Sequence, residues 1–325
     1  MRILQGENEM RLYYRAHAEE VTLLRCETAD RIVRLPNSID GKPVRVLGDY
    51  ALAARTPHAL GDEVLCVRIT CGGAQDIVHD VQAIEQIILP QDLRVIGSYA
   101  FYQCTRLLQL TLTDSVREVG GDCFMNCRSI AEIDLTLRDG HQSCLRQLLA
   151  ETARELTAVL HFPEGWTARL LFPTYQEELE ELSAPHIFRY QIHGGGYAYR
   201  QCFEDGVLRL SQYDMALSRL LETHDFDCAV RIALNRLRTP VELGAQARAQ
   251  YLDCLHTHAA LALRVLLAAR DHAGLTYLLS LGIVPADALQ SGCDTARAAR
   301  DTESLGILLG AQTRRTAVRT KSYDL

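Results

Sequence analysis

The feature that most constrains this chain is a phrase that occurs twice in succession. Residues 84–106 read IEQIILPQDLRVIGSYAFYQCTR, and residues 107–129 read LLQLTLTDSVREVGGDCFMNCRS. Leu89 and Leu112, Ile96 and Val119, Gly97 and Gly120, Phe101 and Phe124, Cys104 and Cys127, and Leu107 and Ile130 all stand 23 residues apart. A fixed period of this length makes each copy one supersecondary unit that buries its apolar side only against its neighbours. The expected architecture is therefore a solenoid of stacked turns.

Local structure within a copy follows from the pattern. Leu110-Thr111-Leu112 alternates as a short strand with one buried face does. Val119-Gly120 reads as a turn, and Asp122 to Cys127 is long enough for one helical turn that brings Phe124 and Cys127 inward. The phrase, L-x-x-L-x-L and then V-x-x-V-G-x-x-A-F-x-x-C-x-x-L, resembles the leucine-rich repeats of the BspA type. The likeness is strongest at Gly97-Ser98-Tyr99-Ala100-Phe101-Tyr102-Gln103-Cys104, whereas Cys123 stands where the family has alanine.

Further turns can be placed on the same template over residues 21–163. Upstream are Val33-Arg34-Leu35-Pro36, an inserted turn at Asp40-Gly41 and Pro43, Val46-Leu47-Gly48, and the alternating Val67-x-Ile69. Downstream, Leu160-His161-Phe162-Pro163 resembles the end of the Leu89-Pro90 strand, and Ser143 to Leu156 has helical spacing. The reading is six parallel strands in one right-handed coil, an α/β leucine-rich-repeat solenoid over residues 1–163.

The period ends at Pro163. Residues 164–211 hold Gly165, Pro173, Pro185 and Gly194-Gly195-Gly196, with an alternating Ile187 to Ile192, and read as an irregular joint or a cap on the last repeat. Residues 212–313 read as an all-α helical-repeat domain. Leu217, Leu220 and Leu221, then Ala229, Ile232, Ala233 and Leu237, keep helical spacing, Asp225 and Asp227 suit a helix start, and Gln246 to Ala269 is a long apolar stripe. Gly274 to Gly282 aligns with the stretch through Gly310 at an offset of 30, which is similar to ankyrin-type helix pairs, although the T-P-L-H-x-A phrase is absent. The polar, basic tail 314–325 carries no period and is expected to be flexible.

Charge narrows the class of partner. A net charge of −7 argues against a general nucleic-acid or anionic-membrane binder, since both attract basic surfaces. The first residues contain no apolar signal region, and no run of about 18 apolar residues occurs, so the expectation is a cytoplasmic protein without a membrane span. Eleven cysteines, an odd number with Cys104 and Cys127 at inward positions, read as buried free thiols of a reducing compartment. Many BspA-type proteins are secreted or surface-anchored, and on this reading their adhesin role does not carry over.

Chemistry is sparse. Cys254-x-His256-x-His258 with His272 falls short of the ligand count and spacing of a zinc site. His193-Gly194-Gly195-Gly196 lacks the Lys-Ser or Lys-Thr of a phosphate loop. Cys202 and Asp205 near His193 form a formal thiol–base group, and Glu177, Glu178, Glu180 and Glu181 read as a solvated helix face. With no catalytic phrase, the chain is expected to be a non-enzymatic module that uses no cofactor or metal and binds another protein. Its contact residues are the outward positions of the strands: Arg34, Arg68, Gln86, Ile88, Gln109, Thr111, Glu132 and Asp134. The alternative is an enzyme or ligand-binding protein with its site in 164–211.

Overall fold

A computed structural model describes residues 2–54, 59–72, 77–138, 142–182 and 187–320. Two compact units make up the fold: Met1–Thr167 with Phe172–Arg209, and Ala168–Leu171 with Leu210–Leu325.

In the first unit the 23-residue period becomes a parallel ladder. Ile32–Arg34, Gln86–Ile88, Gln109–Thr113, Glu132–Thr136 and Leu156–His161 lie side by side. Gln86 aligns with Gln109 and Gln109 with Glu132, so the strand register reproduces the sequence period. The inward row of Val33, Ile87, Leu110, Ile133 and Ala158 is fully buried. Each turn then crosses to a second sheet, where Lys42–Leu47, Val95–Ile96 and Glu118–Val119 also run parallel. Phe101 and Phe124 are buried and stacked, ring centroids 5.6 Å apart, as the 23-residue register requires.

Backbones approach closely where the glycines stand. Gly120 N donates to Ile96 O, and Gly97 N to Leu47 O, both at 2.7 Å. A Cβ on Gly120 would lie 2.3 Å from Ser98 N, which only glycine avoids. Asp122 to Cys127 forms no helical turn. The chain bends through positive φ at Asp122 and Asn126, as it does at Tyr99 and Gln103 one repeat earlier. That geometry frees amides to bond the next repeat, Tyr99 N to Gly121 O and Phe101 N to Cys123 O.

One expected ladder strand lies elsewhere. Leu65–Thr70, which contains Val67 and Ile69, pairs antiparallel with Met10–Ala16 and parallel with Arg2–Gln5. Alternation marks a half-buried strand without specifying its neighbours, and the hairpin of Met10–Ala16 with Val21–Thr28 supplies the edge that takes it. The parallel ladder thus has five of the six expected strands. Helix between the repeats is also shorter than its spacing suggests: Leu145–Ala150 is helical, and Leu156 already begins the next strand.

Residues 172–209 pack with the repeats in the first unit. Gln176–Leu182 and Ile187–His193 form an antiparallel hairpin, so the glutamates expected on a helix stand on a strand. Pairing with the alternating Ile187 to Ile192 stretch overrides any helical preference there. Pro185 lies outside the described residues. Arg200, on the short helix Gly196–Arg200, is buried and donates to the carbonyls of Leu149, Thr152, Arg154, Pro173 and Gly196. Burial lowers its pKa to about 10. Its carbonyl partners include the C-terminal end of the Leu145–Ala150 helix, where the backbone dipole favours a cation.

The second unit is helical over Leu210–Met215, Leu217–Glu222, Phe226–Arg238, Ala245–Thr257, Ala259–Ala269, His272–Ser280, Ala286–Ala298 and Thr302–Thr320. The apolar stripe of Gln246 to Ala269 is two helices that meet at His258 with a bend of 86°. The last helix continues past Arg314, where the periodicity stops. One junction recurs three times. A left-handed residue (His224, Arg270 or Arg300) is followed by an aspartate (Asp225, Asp271 or Asp301) that caps the next helix. Asp271 and Asp301 are 30 residues apart, the offset seen in the sequence. Within this core, Arg236 is fully buried and grips Asp214 through two hydrogen bonds of 2.7 and 3.0 Å, while Tyr251 Oη donates to Asp214 at 2.8 Å.

Candidate functional site

The outward face of the parallel ladder presents two rows of side chains in register. One row is Ile32, Gln86, Gln109, Glu132 and Thr157; the other is Arg34, Ile88, Thr111, Asp134 and Val159. Alternation along each strand sends every second residue outward, and parallel pairing without slippage keeps like positions adjacent. Neighbouring strands are about 4.8 Å apart, so five of them make a face about 19 Å across.

The polar groups on this face hold one another. Gln109 Nε2 donates to Glu132 Oε1 at 2.9 Å. Asp134 Oδ2 lies 3.2 Å from His161 Nε2, and the other ring nitrogen of His161 lies 3.4 Å from Thr167 Oγ1. A threonine hydroxyl donating to Nδ1 leaves Nε2–H to donate to the carboxylate, so Thr167 and the ring together orient Asp134. At the opposite end Arg34 is exposed, pairs with Glu7 at 3.0 Å, and has its amide held by Asn8 Oδ1. A cavity of about 380 Å³ opens beside it, lined by Glu7, Asn8, Arg34, Asn37, Ile88 and Gln91 among others. The face therefore runs from a cation through neutral amides and hydroxyls to two carboxylates.

Of the eight expected residues, Arg34, Gln86, Ile88, Gln109, Thr111, Glu132 and Asp134 stand on this face. Arg68 does not. It sits in the second sheet opposite Arg11, with its guanidinium 3.6 Å from Glu9 Oε2. Its misplacement follows from that of its strand. The expectation missed Ile32, which is 53% exposed, and Thr157, His161 and the buried Val159. Thr157, Val159 and His161 could have been read from Leu160-His161-Phe162-Pro163 by stepping 25 residues on from Glu132, Asp134 and Thr136 rather than 23.

The other candidate groups are engaged separately. His193 is exposed and pairs with Glu178, Cys202 is buried with its thiol on Ala198 O, and Asp205 sits at positive φ, where its carbonyl accepts from Gln142. Gly196 fills a contact that a Cβ would close to 2.0 Å from Pro173 O, a packing role for the glycine run. Cys254 is buried, His258 stacks on Phe226, and His272 faces Asp301 and Glu303. Among the described residues no group of three or more His, Cys, Asp or Glu side chains is arranged to hold a metal.

Residues 77–148 match the family described as "BspA type Leucine rich repeat region (6 copies)". Two solved leucine-rich-repeat proteins are similar over part of the chain. A leucine rich cell surface protein from Faecalibacterium prausnitzii shares 18% identity with a TM-score of 0.29, covering 47% of this chain and 41% of its own. The T. pallidum Leucine Rich Repeat protein shares 21% identity with a TM-score of 0.22, covering 45% of this chain and 77% of its own. No curated protein matches.

Proposed function

We propose that the chain is a non-enzymatic binding module whose ladder face receives an extended segment of another protein. The observation that carries this is the register: two rows of outward side chains, all but Val159 at least partly exposed, graded in charge from Arg34 to Glu132 and Asp134, on a parallel sheet. A fixed row of side chains loses little conformational entropy on binding, and graded charge selects the direction in which a partner lies. The matching partner presents an acidic group towards Arg34 and basic groups towards Glu132 and Asp134.

Three finer readings accompany the proposal. The repeats close into a leucine-rich-repeat solenoid, with the Met10–Thr28 hairpin covering its first turn, a reading supported by the 23-residue register and the glycine contacts. The second unit is an ankyrin-like array, supported by the recurrent left-handed residue and aspartate cap. The compartment is a reducing, cytoplasmic one, supported by eleven cysteines of which nine are buried.

A photo-crosslinking residue in place of Gln109 or Thr111 tests the face. A specific adduct from native lysate is expected at both positions, absent from a control at Arg270, and lost when Glu132→Lys and Asp134→Lys are combined. Equal labelling at Arg270, or adducts indifferent to the charge reversal, refutes the reading.

A further inference from the structure

The hairpin Gln176–Leu182 with Ile187–His193 is a two-stranded sheet, and among the described residues neither strand pairs with any other. Isolated two-stranded hairpins are marginal in water, and an unpaired strand edge is a template for another strand. Its two edges differ sharply. The Gln176–Leu182 edge reads QEELEEL and carries four glutamates, a charge density that blocks strand addition. The Ile187–His193 edge reads IFRYQIH, with Arg189 as its one charged residue apart from the terminal histidine, and no proline or glycine to guard it.

One face of the hairpin carries three exposed apolar side chains beside Glu177. Leu179 stands directly opposite Tyr190, and Ile192 lies two residues further along on the same side. They are 64%, 57% and 36% exposed. Tyr190 also hydrogen-bonds Glu177, which lies opposite Ile192, so its ring is held on that face. A patch of this kind is exposed in the single chain.

We propose that Ile187–His193 pairs antiparallel with the same strand of a second copy, about a two-fold axis through Tyr190. This register sets Tyr190 opposite its counterpart and Arg189 opposite the second copy's Gln191, so that no like charges meet. Sliding one residue, to an axis through Arg189, would oppose two arginines. The product is a four-stranded sheet whose outer strands are the two glutamate-rich ones. Those edges repel further copies, so growth stops at the dimer, a closed isologous assembly. The inference does not depend on the ladder-face reading, and either can fail alone.

Sedimentation velocity of the full chain over a wide concentration range tests the dimer. A monomer–dimer equilibrium is expected, weakened at least about tenfold by Tyr190→Lys with Ile192→Lys, both exposed positions at which the circular dichroism spectrum should not change. In a Cys71→Ser background, Tyr190→Cys should form a chain-to-chain disulfide under mild oxidation and Arg189→Cys should not. This arm stands even if the lysine variant fails to fold. A chain that stays monomeric throughout overturns the proposal. So does association that survives the lysines, which places it on another surface, or open-ended polymers, which mean head-to-tail pairing with the glutamate edge. More efficient crosslinking at Arg189→Cys overturns the register.

Discussion

Gly120→Ala should cost far more than its partly exposed position suggests. The new Cβ would stand 2.3 Å from Ser98 N, 2.7 Å from Gly97 C and 2.8 Å from Ser98 Cα, all backbone atoms of the preceding repeat. Backbone cannot rotate away as a side-chain tip can, so the two turns must part by about 1 Å. Overpacking of this kind costs about 1–3 kcal/mol. Parting also strains the Gly120 N to Ile96 O and Tyr99 N to Gly121 O hydrogen bonds, each worth about 0.5–1.5 kcal/mol. Together they give about 2–6 kcal/mol. Gly121 is the internal control, because a Cβ there meets nothing within 4 Å. Gly121→Ala should be neutral, or stabilising by up to about 1 kcal/mol through the unfolded chain. Gly48→Ala, with Leu23 O at 3.2 Å, should fall between. Urea unfolding followed by circular dichroism, with Trp166 fluorescence reporting on the first unit, measures the series. The reasoning fails if Gly120→Ala lies within about 0.5 kcal/mol of the parent, or if Gly121→Ala is equally damaging.

Asp214→Asn should destabilise the second unit by about 3–5 kcal/mol, since it leaves the Arg236 guanidinium buried without its counter-charge; adding Arg236→Met should restore part of the loss in a double-mutant cycle of denaturation midpoints. Native-state alkylation at neutral pH should modify Cys71 first, the one fully exposed thiol. Its hydrogen bond to Glu9 raises its pKa, so Glu9→Gln should speed the labelling measured by mass spectrometry. Ser304 amide and hydroxyl bonds, with His272, lower the Asp301 pKa to about 2. A depressed carboxylate contributes stability above its unfolded pKa of about 3.9 and loses it as pH falls towards the folded value. Melting curves between those limits should therefore fall more steeply for the parent than for Asp301→Asn.

The repeat was legible because its constraint is redundant. Phe101 packs on Phe124 and Gly97 on Gly120, so the same residue type must return at the same offset for both to fit. Val67-x-Ile69 carried the same two-residue alternation as the ladder strands, yet nothing in alternation distinguishes one sheet from another, and Arg68 was misplaced with it. The hairpin glutamates were misread because a polar run has no period of its own; its partner strand eleven residues on supplied the structure. Asp214, Arg236 and Tyr251 gave no signal at all. A buried polar network depends on where side chains converge, and its members here are 22 and 37 residues apart.

Arg200 has a consequence for synthesis. The carbonyls of Leu149 and Thr152 that it binds precede it by 51 and 48 residues. At about 5–20 residues per second, the ribosome delivers it about 2–10 s after Leu149. In that interval residues 168–171 also emerge, although they belong to the other unit. The last repeat therefore waits with its carbonyls uncapped while the chain makes a detour. Truncation after Pro163, where the period ends, would make that waiting state permanent. Such a fragment is expected to be the aggregation-prone species, and release at Arg209 or later the first to be free of it.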